Sequence, residues 1–128
     1  MGSALYISAK RKPRNFDLLV DGKALAKAEE KLGVVCARIG VKRLMDFFGM
    51  SPDEVADMVG EEVPNAAPEK WFEPKEGLAT VRALRRFLEA GTESVEGSAN
   101  VIEDLRQFER VLSYLEEKKI PWHLAIDI

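Results

Sequence analysis

The chain predicts an α+β fold, with four to five helices packed on one face of a small two- or three-stranded sheet and the final strand at the C-terminus. Three observations lead there. In the stretch after Ser98, Val101, Leu105, Phe108, Leu112 and Leu115 step by four, three, four and three, one stripe of a long helix. Beyond Pro121 the step becomes two, with Trp122, Leu124, Ile126 and Ile128 on one side and His123, Ala125 and Asp127 on the other. The order strand, strand, helices, strand gathers the helices on one side of the sheet. The alternation in the last strand predicts a solvated second face, because a strand covered on both faces reads as a continuous apolar run.

The elements follow in order. Ala4–Ala9 (ALYISA) reads as a strand, and residues 10–15, with Lys10, Arg11, Lys12 and Arg14 around Pro13, as a basic loop. Phe16, Leu18 and Val20 alternate with Asp17, Leu19 and Asp21, which predicts a second strand before an Asp21-Gly22 turn. Leu25, Ala28, Leu32, Val35, Cys36 and Ile39 keep helical spacing through Gly33 up to a stop at Gly40. The interior glycine costs about 1 kcal/mol against alanine, so one long helix and two short ones are both open. Leu44, Met45, Phe47 and Phe48 make a short apolar helix ending at Gly49.

Ser51-Pro52-Asp53-Glu54 is the strongest local signal: an N-cap serine, a first-turn proline, acids at the positive end of the dipole and a capping-box glutamate. Val55, Met58 and Val59 are expected to form the buried side of that helix, which stops at Gly60. A proline-bearing loop over 61–73 carries Trp71-Phe72. Pro74 and Glu76 open a further helix, with Leu78, Val81, Leu84, Phe87 and Leu88 inward until Gly91. Residues 92–97 form a polar connector, and Ser98 is expected to cap the long helix. Gly2-Ser3 reads as a cloning remnant and is set aside.

One domain spanning 1–128 is expected, since 128 residues with 46% hydrophobic content can bury a core without staples. The single cysteine, Cys36, cannot form an internal disulfide, and no apolar run approaches the roughly 18 residues that cross a bilayer. With no secretory signal pattern at the start, a cytoplasmic protein without membrane contact is the expectation. Net charge is −3, unevenly spread. Residues 1–50 carry ten Lys/Arg against five Asp/Glu, whereas residues 51–76 alone carry eight acids against two lysines. Such asymmetry shapes association rather than fold, and packing of the two regions against each other would neutralise it.

Catalytic patterns are lacking. One histidine and one cysteine cannot make a zinc site of the usual kind, and no phosphate-binding loop, dinucleotide fingerprint or nucleophile elbow occurs. His123 and Asp127 share a strand face but lie roughly 13 Å apart, too far for a direct hydrogen bond. Asp53 and Asp57, at i and i+4 beside Glu54 and Glu61, read as a solvated acidic face before they read as a divalent-ion site. The basic cluster of Lys10, Arg11, Lys12 and Arg14, with Lys42 and Arg43, reads as a solvated loop pairing with the acidic segment, so nucleic-acid binding is not expected. Trp122 is expected in the core. Trp71-Phe72 reads either as a core plug or as a partner contact. If the outer strands pair, Tyr6, Ser8, His123 and Asp127 come together on the open sheet face.

Residues 16–23 (FDLLVDGK), Leu44-Met45-Asp46-Phe47-Phe48 before Ser51-Pro52, Trp71-Phe72-Glu73-Pro74 with Glu76-Gly77-Leu78, and the ending Trp122-His123-Leu124-Ala125 resemble a group of small single-domain bacterial proteins of uncharacterised function. The resemblance implies a single domain and carries over no functional residue.

The leading expectation is therefore a non-enzymatic protein–protein interaction module, of the inhibitor or immunity type, with no cofactor. Its candidate surface is Trp71, Phe72, Glu73 and Glu76, together with Tyr6, His123 and Asp127. The rival is an enzyme or small-ligand binder with a carboxylate-lined pocket between helices and sheet, using Glu73 and Glu76 near Trp71. A homodimer through an exposed edge of the last strand is a further expectation.

Overall fold

A computed structural model describes residues 3–91 and 95–128. Gly2 of the remnant and positions 92–94 of the connector lie outside the described residues. In chain order come β1 (Ala4–Ala9), α1 (Lys23–Ile39), a 3-10 turn (Leu44–Phe47), α2 (Pro52–Val59), α3 (Pro74–Ala90), α4 (Ser98–Lys118) and β2 (Trp122–Asp127). This is the α+β arrangement expected: four helices with a two-stranded antiparallel sheet and a C-terminal strand.

β1 and β2 pair from Ala4 opposite Asp127 to Ala9 opposite Trp122. Leu5, Ile7, Trp122 and Leu124 enter one core with the α4 stripe of Val101, Leu105, Phe108, Leu112 and Leu115 and with Leu78, Val81 and Leu84 of α3. Arg82 and Arg85 of α3 both reach Glu109 of α4, at 2.9 and 2.8 Å, and tie the two helices together outside the core.

Two close approaches explain glycines inside helices. α1 runs unbroken through Gly33, where the Arg43 side chain crosses so closely that a Cβ would lie 2.5 Å from Arg43 Nε. That guanidinium grips Glu29 through two bonds of 3.0 and 2.8 Å. Gly77 of α3 leaves room for the Trp122 indole, which a Cβ would meet at 2.3 Å. Trp122 is fully buried, as expected, and its Nε1–H donates to the Glu73 carbonyl at 3.3 Å.

Four expectations need correction. The segment 16–21 is not a strand, although its alternation is real: Val20 is buried, Phe16 and Leu18 are half-buried, and Leu19 is exposed. Side chains of α4 hold it in place of a neighbouring strand. The Phe16 ring stacks on Tyr114 at 3.8 Å, Arg110 donates to the Asp17 carbonyl, Gln107 accepts the Asp21 N–H at 2.8 Å, and Asp104 accepts the Leu25 N–H at 3.2 Å. Second, α2 buries none of its residues; Val55 and Met58 are half-covered and Val59 is 42% exposed. Third, β2 is buried on both faces from Trp122 to Ala125. Fourth, Gly97, in the left-handed region, stands at the N-cap of α4, with Ser98 one position inside.

Candidate interaction surface

The second face of the sheet carries Tyr6, Ser8, His123, Ala125 and Asp127, as the register requires. It is not an open face. The chain around Gly49 crosses it so closely that a Cβ on Gly49 would meet His123 Cβ at 2.7 Å, and Trp71 lies flat over the imidazole with ring centroids 4.2 Å apart. His123 is fully buried. Its Nδ1 lies 2.9 Å from the Lys70 carbonyl oxygen, an acceptor only, so Nδ1 carries the proton and donates. Nε2 is buried with no hydrogen-bond partner among the described residues. An alternating sequence therefore hides a doubly covered strand, because a flat, hydrogen-bonded imidazole under an indole buries like an aromatic.

The expected cluster accordingly splits in two. Tyr6 and Asp127 line an opening of about 360 Å³ at the far end of the sheet, with Met50, Ile126, Glu54 and Asp57. Burial pushes the Tyr6 phenol above its ordinary value, and the Glu54 and Asp127 carboxylates push it further. His123 sits apart from them beneath Trp71. Among the described residues, no group of three His, Cys, Asp or Glu side chains is placed to hold a metal ion.

Trp71 and Phe72 are both half-buried. Phe72 meets Phe47 edge-on at 5.4 Å and exchanges two backbone hydrogen bonds with Trp122, of 2.8 and 3.0 Å. Gly49 N–H also reaches the Leu124 carbonyl. The outer edge of β2 is thus covered along Trp122–Leu124, which removes the exposed edge expected of the last strand.

Glu73 and Glu76 do not converge on a pocket: Glu73 pairs with Lys75 at 3.6 Å and Glu76 with Lys42 at 3.2 Å. A groove of about 640 Å³ opens instead between α1 and α4, with Lys23, Lys27 and Lys31 beside Asp21 and Glu30 along one wall and Glu96, Glu103 and Asp104 along the other.

What the fold leaves uncovered is α2 and the chain after it. Ser51 Oγ accepts the Glu54 N–H while Glu54 Oε1 accepts the Ser51 N–H, both at 3.1 Å. The helix is therefore pinned by its capping box and by Gly60, not by a buried side. Val59 and Val63 stay 42% and 39% exposed, with Asp53, Asp57, Glu61 and Glu62 exposed around them. Sequence periodicity located the apolar stripe of α2; nothing in it told a stripe covered by the chain from one left open.

No protein-family model matches the chain, and neither the curated proteins nor the solved structures give a match. Among the described residues no helix is long and apolar enough to cross a membrane.

Proposed function

We propose that this protein is a non-enzymatic interaction module, of the inhibitor or immunity type, whose contact surface is α2 with residues 61–63. One observation carries the reading: α2 is an amphipathic helix with none of its residues buried and Val59 42% exposed. Eight residues are too few for a helix to be stable alone in water, and this one has caps but lacks full apolar cover, Val55 and Met58 being only half-covered. A partner that lays an apolar patch over Val59 and Val63 supplies that cover. The exposed acids around them select a basic partner and speed its approach. Trp71 and Phe72 serve this surface from behind, by fixing the chain over His123 and β2.

The test is capture from native lysate on the immobilised protein, with bound proteins identified at low and at high salt. The reading predicts one reproducible basic protein whose retention weakens as salt rises. Empty capture at low salt overturns it.

The α1–α4 groove favours a second reading, a small-ligand site whose lysine and carboxylate walls suit a zwitterion. A rise in melting temperature with an amino-acid-like metabolite, lost in Lys27→Ala, would support it. A blank metabolite screen would remove it.

A further inference from the structure

The sheet separates two regions of opposite charge. α2 and its acids stand beside Asp127, and the basic loop 10–15 stands beyond the Ala9–Trp122 end. The five residue steps along the strands, at about 3.3 Å each, put about 17 Å between them. The expected pairing of basic loop with acidic segment does not occur: among the described residues, the acids of 51–76 pair only with Lys42 and Lys75. The basic loop meets the C-terminal turn of α4 instead. Arg11 donates to the Lys118 carbonyl at 3.3 Å, and Lys10 N–H bonds the Pro121 carbonyl.

This junction assembles a surface that neither segment shows alone. Lys10, Arg11, Lys12, Arg14, Arg110 and Lys118 are all exposed, and none has a carboxylate within ion-pair distance among the described residues. Elsewhere Arg43, Arg82, Arg85 and Arg106 each have a glutamate. Two of the unpaired cations are also held in place. Arg110 lies 5.1 Å over the Phe16 ring and donates to the Asp17 carbonyl, and Lys118 lies 5.8 Å over Tyr114, stacked beneath Phe16. Arg11 and Arg110 each spend one nitrogen on a backbone carbonyl, and both side chains belong to exposed residues.

We propose that this end of the molecule binds the phosphate backbone of nucleic acid without reading its sequence. The two rings are occupied by each other and by cations, so they offer no free platform for a base, and phosphate binding carries the affinity. A net charge of −3 does not forbid it. At physiological salt the Debye length is about 8 Å, shorter than the distance to the acidic end. Counterion release favours a dense phosphate rod over a peptide with scattered carboxylates. The surface lies at the opposite end from α2, so the two proposals stand or fall separately.

The test is fluorescence anisotropy with a labelled mixed-sequence DNA of about 20 nucleotides, long enough to span several phosphates, single-stranded and as its duplex, from low to physiological salt. The expected result is binding of at least one form, insensitive to sequence, weakened about tenfold or more in Lys12→Glu with Arg14→Glu at unchanged melting temperature. The log–log salt slope should fall by about 0.7 to 0.9 for each phosphate the variant no longer neutralises. Lys27→Glu with Lys31→Glu changes net charge equally and should cost much less. No anisotropy change at low salt overturns the proposal, as does equal weakening in the two double variants. Equal competition by poly-glutamate of matched charge also overturns it and marks the surface as one for acidic protein.

Discussion

Asp104 caps a helix to which it does not belong. Its Oδ2 accepts the N–H of Leu25, in the first turn of α1, from 79 positions further along the chain. Gly22, the residue at the N-cap of α1, offers no side chain, so α4 supplies the missing acceptor. Removing it leaves a buried amide without a partner. Asp104→Ala should lower stability by about 1–3 kcal/mol, and Asp104→Asn, which keeps an acceptor, by less. Urea midpoints at constant m-value measure both.

Two carboxylates on α4 should respond to acid in opposite senses. Burial pushes the Asp104 carboxyl above its ordinary value of 3.8, against the pull of the Leu25 and Ala24 amides. Folded Asp104 therefore takes up its proton more readily than unfolded, and its contribution to stability grows as pH falls through the folded value towards 3.8. Burial also works to raise Glu109, but Arg82 and Arg85 outweigh it and hold the carboxyl below 4.5. Its contribution is present above 4.5 and is lost as pH falls through the folded value. The stability deficit of Asp104→Asn should widen between neutral pH and about pH 4, while that of Glu109→Gln should narrow below about pH 4.5. Parallel trends in the two would contradict these environments.

The two tight glycines separate packing from propensity. Alanine gains about 1 kcal/mol over glycine in a helix interior. At Gly77 the new methyl meets the Trp122 ring, which is fully buried and cannot withdraw, and overpacking costs about 1–3 kcal/mol. Gly77→Ala should therefore destabilise. At Gly33 the obstacle is the exposed Arg43 side chain, which can swing out, so Gly33→Ala should be neutral or stabilising. Thermal melts of both variants decide it.

His123 should contribute through its stacked ring as well as its hydrogen bond. His123→Phe keeps the stack with Trp71 and removes the unpartnered Nε2 but gives up the Nδ1–H bond to the Lys70 carbonyl, so it should cost about 1–3 kcal/mol. His123→Ala opens a cavity and should cost roughly 2–4 kcal/mol. Equal losses in the two variants would mean that the hydrogen bond to the Lys70 carbonyl, and not the stacked ring, carries the contribution of this side chain.

Cys36 should be inert to thiol reagents at about pH 8 until the protein unfolds. Burial, with Glu29 nearby, pushes its thiol up to about 11. Fast titration in the native state would show that α1 opens more readily than its packing implies.

The sequence made the helices and outer strands legible because their periodicities are local. The α4 stripe and the Ser51 capping box survive in the structure as written, whereas the β2 alternation marks two buried faces instead of one. Residues 16–21 misled because extended chain shows the same period whether its hydrogen bonds go to a strand or to helix side chains. Asp104, Gln107, Arg110 and Tyr114 do recur at helical spacing, but polar residues on a helix face look alike whether they hold a segment or face water. The open side of α2 and the cover over His123 were illegible for the same reason: both depend on what the rest of the chain places opposite.

The central claim is that α2 presents its apolar side to a partner. Capture from native lysate with the wild-type chain beside Val59→Asp with Val63→Asp tests it most directly, because both valines are already exposed and the variant should melt unchanged. The account predicts that a basic protein retained by the wild-type chain escapes the variant. Retention of that protein by the variant at the same level would contradict it.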